Sequence, residues 1–375
     1  MRTFSCLCGH SLYYEDSQCE QCGRCVGWCP ECTDLSPLEA GAAEGQWYCA
    51  RPECGALLEL CFNYAEYAVC NRCVLAETDS HDDVGGSGAG SVHADEPGDE
   101  RHFCDMCGWN DTIPDLSMPG KLEAWRRLEE AKRRALRQFR ILKLPPYGRT
   151  EKAPPLSFDF KADSVPTKEG WRPMGRETVY TGHANGKITI NVREADPVER
   201  ERMRVSLGES FRTLVGHFRH ELAHYLWDSL ILGSEYEDGF NELFGDPNDP
   251  PYGEALKSYY ETGAPADWSD HYISAYATMH PFEDWAETTA HFFHAYSVLE
   301  TAYYHGYLEI PISADASKDL AERYISMGVF LNEVNRDLGL LDVVPSVFNP
   351  ESREKLRFVR QVLVVGGERE VTKTP

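Results

Sequence analysis

From Gly216 to Gly233 the chain runs without an intervening proline or glycine, and its apolar positions recur at a helical period. At about 100° per residue, Phe211, Phe218, Leu222, Tyr225, Leu226 and Ser229 gather on one side, which predicts a helix with one packed face. Residues 206–213 offer several caps for its start. A second helix is predicted over 280–294, where Phe282, Trp285, Ala286, Thr289, Phe293 and, just beyond, Tyr296 form a packing stripe. Between Pro119 and Lys143, Leu122, Trp125, Leu128, Ala135, Leu136, Phe139 and Leu142 mark an amphipathic helix whose other positions are rich in arginine. Further helices are expected over 237–244, 253–260, 317–335 and 351–362. The period shortens to two over 187–192; with 178–181 and a turn at Asn185-Gly186, this reads as a β-hairpin. The pattern describes an α+β protein with a mainly helical body and a small β-sheet.

Composition divides the chain. It has 375 residues, 42% of them hydrophobic, enough for a substantial core and for two domains. All fourteen cysteines lie between Cys6 and Cys107. There is no basic segment followed by an apolar run and no long apolar stretch, so neither a signal peptide nor a membrane span is expected, and a cytoplasmic location follows. In that reducing compartment, closely spaced cysteines are metal thiolates rather than disulfides. Four thiolates close one tetrahedral zinc site. The spacing groups Cys6, Cys8, Cys19 and Cys22; then Cys29, Cys32, Cys49 and Cys54; then Cys61, Cys70, Cys104 and Cys107. Cys25 and Cys73 are left over. The first pair has a one-residue spacer, so Cys25 or His10 is an alternative member there.

These cysteines define a zinc-ribbon domain over 1–118, with a flexible acidic loop at about 77–102. The basic helix over 119–144 links it to a body over 145–375, and Pro145-Pro146 and Pro154-Pro155 mark the linker. Zinc in such ribbons replaces a hydrophobic core too small to fold alone, and docking of a protein partner is the competing role. The net charge of -24 argues against general affinity for nucleic acid or anionic membranes. The arginines of the linking helix are accordingly read as a solvated outer face.

The chemistry centres on His-Glu-Leu-Ala-His at 220–224. On a helix, His220 and His224 stand one turn apart, away from the packed face, with the Glu221 carboxylate beside them, as a hydrolytic zinc site requires. A catalytic zinc holds three protein ligands and a water, so one more ligand is needed. In the second helix Glu283, Glu287 and His291 recur every four residues on a face of their own. Glu283 is the first candidate, and Glu287 would then accept a hydrogen bond from the far nitrogen of His220 or His224. Glu287 itself, His280, His291, His294 and Asp228 are chemically capable of the same ligation. His217, His271 and His305 read as satisfied surface or core residues, and His291 and His294 as helix packing or support.

Four stretches carry a resemblance: 181–190, Glu194-Ala-Asp196, 211–228 and 274–288. With Cys104-Asp-Met-Cys107 and residues 112–117, they make the chain similar, over nearly its whole length, to bacterial zinc-binding metallopeptidases with an N-terminal zinc ribbon. The resemblance implies a gluzincin-like peptidase acting on a peptide or protein. His220, His224 and Glu283 would hold one catalytic zinc beside two or three structural ones, and Glu221 would serve as general base. It also implies Tyr276 as donor to the oxyanion, with His280 and Tyr225 as alternatives. Two features depart from the family pattern: the Cys6-x-Cys8 knuckle, and the cysteines at 25, 29, 32, 49, 54 and 73. The rival reading is a non-enzymatic adaptor that binds protein or nucleic acid through its ribbons and basic helix. An intact Glu221 speaks against it, since a structural zinc site needs no base.

Overall fold

A computed structural model describes residues 1–76, 101–148, 153–162, 179, 181–207, 213–309, 320–345 and 348–365. The acidic loop expected at 77–102 falls almost entirely outside the described residues, as do Phe211 and residues 178 and 180 of the expected first hairpin strand. The chain forms two compact units. Thr3–Arg133 with Phe158–Lys161 make one; Met1–Arg2, Arg134–Ser157 and the described chain from Ala162 onward make the other.

In the first unit, β1 (Phe4–Ser5) pairs with β2 (Ser11–Leu12). An antiparallel meander then runs through β3 (Val26–Cys29), β4 (Asp34–Ala40), β5 (Gln46–Cys49), β6 (Leu57–Leu60) and β7 (Cys73–Leu75). The short helix α1 (Phe62–Ala65) bridges its last two strands. In the meander Leu38 and Leu58 pack with Cys29, Cys49 and Cys73, and Val26, Trp28 and Leu35 are buried as well. Cysteines are thus part of this core, and metal thiolates suit the segment. Beyond the meander, β8 (Asn110–Thr112) pairs in parallel with β9 (Ser157–Lys161).

The basic helix is α2 (Lys121–Ile141), and the boundary between the units falls within it. Its outer face carries ion pairs, with Glu123 bound by Arg126 and Arg127. The reading of its arginines as a solvated face needs correction at Arg133, which is buried, as is Lys132. Lys132 donates to the Met106 carbonyl at 3.1 Å and to Glu129 Oε1 at 3.0 Å, while Arg133 donates to the Val69 carbonyl. Buried cations persist only where such acceptors and counter-charges meet them. For Arg133, burial opposes the charge but the neighbouring Cys70, Glu129 and Cys107 favour it. Leu122, placed on the apolar stripe by periodicity, is exposed.

The second unit is mainly helical, with α3 (Pro197–Leu207) following the hairpin of β10 (Gly182–Ala184) and β11 (Lys187–Asn191). The hairpin turns at Asn185 and Gly186, both at positive φ, the geometry a two-residue turn demands. Its first strand lies later than the expected 178–181. Next come α4 (Leu214–Leu226), α5 (Glu237–Phe244), α6 (Tyr252–Thr262), α7 (Trp268–His271), α8 (Pro281–Tyr304), α9 (Leu320–Asp337) and α10 (Pro350–Arg360). Thr213 caps α4 by accepting from Gly216 N–H at 3.0 Å.

The core sits where α4 meets α8. Phe218, Leu222, Tyr225 and Leu226 are buried on the predicted face, and Trp285 donates through its indole N–H to the Ala223 carbonyl at 2.8 Å. Phe240, Phe244 and Phe358 close around Trp285. A buried Lys355–Asp284 pair at 2.5 Å ties α10 to the first turn of α8. Among the described residues no helix is long and apolar enough to cross a membrane.

Candidate metal centre

Helix α4 delivers His220 and His224 from adjacent turns, and the first turn of α8 delivers Glu283. His280 begins that turn by accepting from Phe282 N–H at 3.2 Å, and Pro281 occupies the first helical position, where a missing N–H costs nothing. The Nε2 atoms of His220 and His224 face each other at 3.2 Å, and Glu283 Oε2 lies 2.9 Å from His220 Nε2. Two nitrogens bound to one tetrahedral zinc at about 2.0–2.1 Å would stand about 3.3 Å apart. Glu283 Oε2 is buried and has no hydrogen-bond partner. Converging ring nitrogens beside an orphaned carboxylate oxygen are a donor set that fits a divalent cation.

The support of this set is specific. Glu287, one turn beyond Glu283, accepts from His220 Nδ1–H at 2.8 Å and from the Ser274 hydroxyl at 2.7 Å, which directs His220 Nε2 toward Glu283. The other capable groups are held elsewhere. His291 donates from Nδ1 to the Glu287 carbonyl, His294 Nδ1 accepts from Arg219, and Asp228 stands 3.9 Å from His183. None of them, nor His280, joins the cluster of His220, His224 and Glu283.

Glu221 is buried on the same helix, and one of its oxygens lies 3.2 Å from His217 Nε2. The other ring nitrogen of His217 bonds Glu194 Oε2, and Thr181 donates to Glu194 Oε1. Burial would depress the His217 ring's basicity, but its two carboxylate neighbours raise its pKa to about 9. Burial would likewise raise the Glu221 carboxyl; the hydrogen bond from His217 and the surrounding imidazoles hold it below its usual range. His217 is a satisfied residue outside the metal cluster, and its contact with Glu221 goes beyond what its isolation in the sequence suggested. It braces Glu221, and only Glu194, 23 residues earlier, discloses this.

Residues 121–362 match the family described as "Putative zinc-binding metallo-peptidase", and residues 3–83 match a zinc-ribbon domain. The chain belongs to this family. Its similar relatives include uncharacterized proteins of Mycobacterium tuberculosis and Mycobacterium bovis, each 34% identical over 372 residues, covering 97% of this chain and 95% of theirs. No solved structure matches.

Membership makes zinc the metal to test against the cysteines as well. Their Sγ atoms gather as Cys6, Cys8, Cys19 and Cys22; Cys29, Cys32, Cys49 and Cys54; and Cys61, Cys70, Cys104 and Cys107. Thiolates on one zinc at about 2.3 Å would stand about 3.8 Å apart. Cys6 and Cys22 are separated by 3.6 Å, Cys29 and Cys54 by 3.8 Å, and Cys70 and Cys104 by 3.8 Å. The two remaining cysteines join no quartet. Cys25 contacts the Tyr64 hydroxyl at 3.3 Å, and burial pushes the Cys73 thiol up.

Two further residues at the centre escaped the sequence reading. His183 on β10 stacks near His224, with centroids 6.4 Å apart. Burial, then the charge of His224, lowers its pKa to about 4, and its Nε2 accepts from Gly186 N–H at 3.0 Å. The neutral ring thus carries its hydrogen on Nδ1. Tyr252, at the start of α6, donates to Glu283 Oε1 at 2.9 Å. Tyr276 stands with its ring 6.2 Å from that of His220. Tyr225, an alternative oxyanion donor, is fully buried in the core.

Proposed function

We propose that this chain is a gluzincin-like zinc peptidase in which His220, His224 and Glu283 hold one catalytic zinc and the three cysteine quartets hold structural zinc. The observation that carries the reading is the convergence of two Nε2 atoms and a buried, unpartnered carboxylate oxygen beside Glu221. A zinc ion bound there would lower the pKa of a water to about 7 and polarise the scissile carbonyl. Glu221 takes the proton of the attacking water as its oxygen adds to the carbonyl carbon, and returns that proton to the leaving amine as the C–N bond breaks. The Tyr276 hydroxyl donates to the oxygen that gains charge in the tetrahedral intermediate.

β10 pairs on one side with β11, and among the described strands its other side is open to an extended peptide, which supports a peptide or protein as substrate. The ribbon is assigned a protein-docking or scaffolding role, and its thiolates favour a reducing, cytoplasmic setting.

Elemental analysis tests the metal assignment directly. The four donor groups predict about four zinc ions per chain in the wild type and about three in His224→Ala and in Glu283→Ala. Unchanged metal in both variants would refute the centre. The brace on Glu221 has its own test. His217→Gln should lower kcat on a peptide substrate by about ten- to a hundredfold, since misplacing a reacting group by about 1 Å costs this much. Zinc content and KM should hold; a fall in zinc would mean that His217 supports the fold instead.

A further inference from the structure

We infer that Tyr252 is a positioning residue that orients Glu283 and thereby sets how tightly the helical unit holds its metal. The inference rests on the reading of His220, His224 and Glu283 as ligands. The two oxygens of Glu283 have different surroundings. Oε2 points to His220 Nε2 at 2.9 Å without a hydrogen-bond partner, whereas Oε1 accepts from the Tyr252 hydroxyl at 2.9 Å and lies 3.5 Å from His224 Nε2. Tying one oxygen removes the carboxylate's freedom to rotate and leaves the other for the metal. Removing such a supporting partner typically weakens metal binding by about 10–100-fold.

The phenol is itself well placed for this task. Its ring meets His280 edge to face at 5.1 Å, so it leans on the cap of the same helical turn that carries Glu283. The rest of α6 is lightly seated: Ala255 is its buried residue, and the helix lies between Gly245 and Gly263, both at positive φ. Tyr252 is itself 39% exposed. Little in α6 other than the Tyr252 hydroxyl has a reason to seek Glu283, and Tyr252→Phe removes that hydroxyl while keeping the ring.

The experiment is a zinc competition titration of the full-length protein against a chelating dye, with His224→Ala identifying the step that belongs to the helical unit. In Tyr252→Phe that step should shift to about 10–100-fold weaker affinity. The steps of the cysteine sites should stay where they are, and circular dichroism should match the wild type. Tyr276→Phe, whose lost hydroxyl is not the partner of Glu283, should keep the wild-type affinity. Wild-type affinity in Tyr252→Phe would overturn the inference, as would an equal loss in Tyr276→Phe. If His224→Ala removes no step at all, the ligand assignment fails instead, and the two failures are thus distinguishable.

Discussion

Glu221→Gln is expected to abolish measurable peptide hydrolysis while the helical unit keeps its zinc. The substitution preserves the shape of the side chain, and Glu221 is not among the converging donors, so metal content should equal that of the wild type. What it removes is the acceptor for the proton of water, an effect typically worth about 10²–10⁴-fold in rate. The amide also changes the exchange with His217, which stands 3.2 Å from Glu221 and is bonded to Glu194 on its other nitrogen. A fluorescein-labelled casein assay and elemental analysis on the same preparation provide the check. Cleavage at the wild-type rate by a fully metallated Glu221→Gln protein would remove Glu221 from the mechanism.

The second large effect concerns the ribbon unit. Cys104→Ser should unfold the region around the third quartet, because Cys61, Cys70, Cys104 and Cys107 are all buried and come from segments far apart in the chain. Structural zinc contributes about 10–16 kcal/mol of apparent binding energy in small zinc domains, more than the net stability of most domains. Removing it also strands Arg133, whose buried charge is favoured by Cys70 and Cys107. Hydrogen exchange read by mass spectrometry should show lost protection at residues 57–75 and 101–112, both in this variant and in wild type treated with a strong chelator. Retained protection after complete zinc removal would show that side-chain packing alone holds the region.

What could be read from the sequence was whatever a short stretch of chain determines by its own repeat. The helical period puts His220 and His224 one turn apart and turns Phe218, Leu222 and Tyr225 inward, with no help from elsewhere. Cysteine spacing similarly grouped the quartets, because a knuckle is a local loop. The resemblance supplied the class of chemistry and the order of the units.

The choice between Glu283 and Glu287 was different in kind. One helical turn, about 5.4 Å, separates the two carboxylates, and periodicity presents both on one face. How α8 crosses α4, with Trp285 anchored on Ala223, decided which of them faces His220 Nε2 and which faces Nδ1. Other contacts join separate elements. Glu194 reaches His217 from beyond the hairpin, His183 reaches His224 from β10, and Tyr252 reaches Glu283 from α6. Lys132 and Arg133 mark the same limit, since a helical projection assigns cations to solvent and only the acceptors around them reverse it. Local spacing determined which groups could carry the chemistry; tertiary packing decided how they are aimed, because the orientation of a carboxylate or an imidazole depends on partners that no fixed interval along the chain can specify.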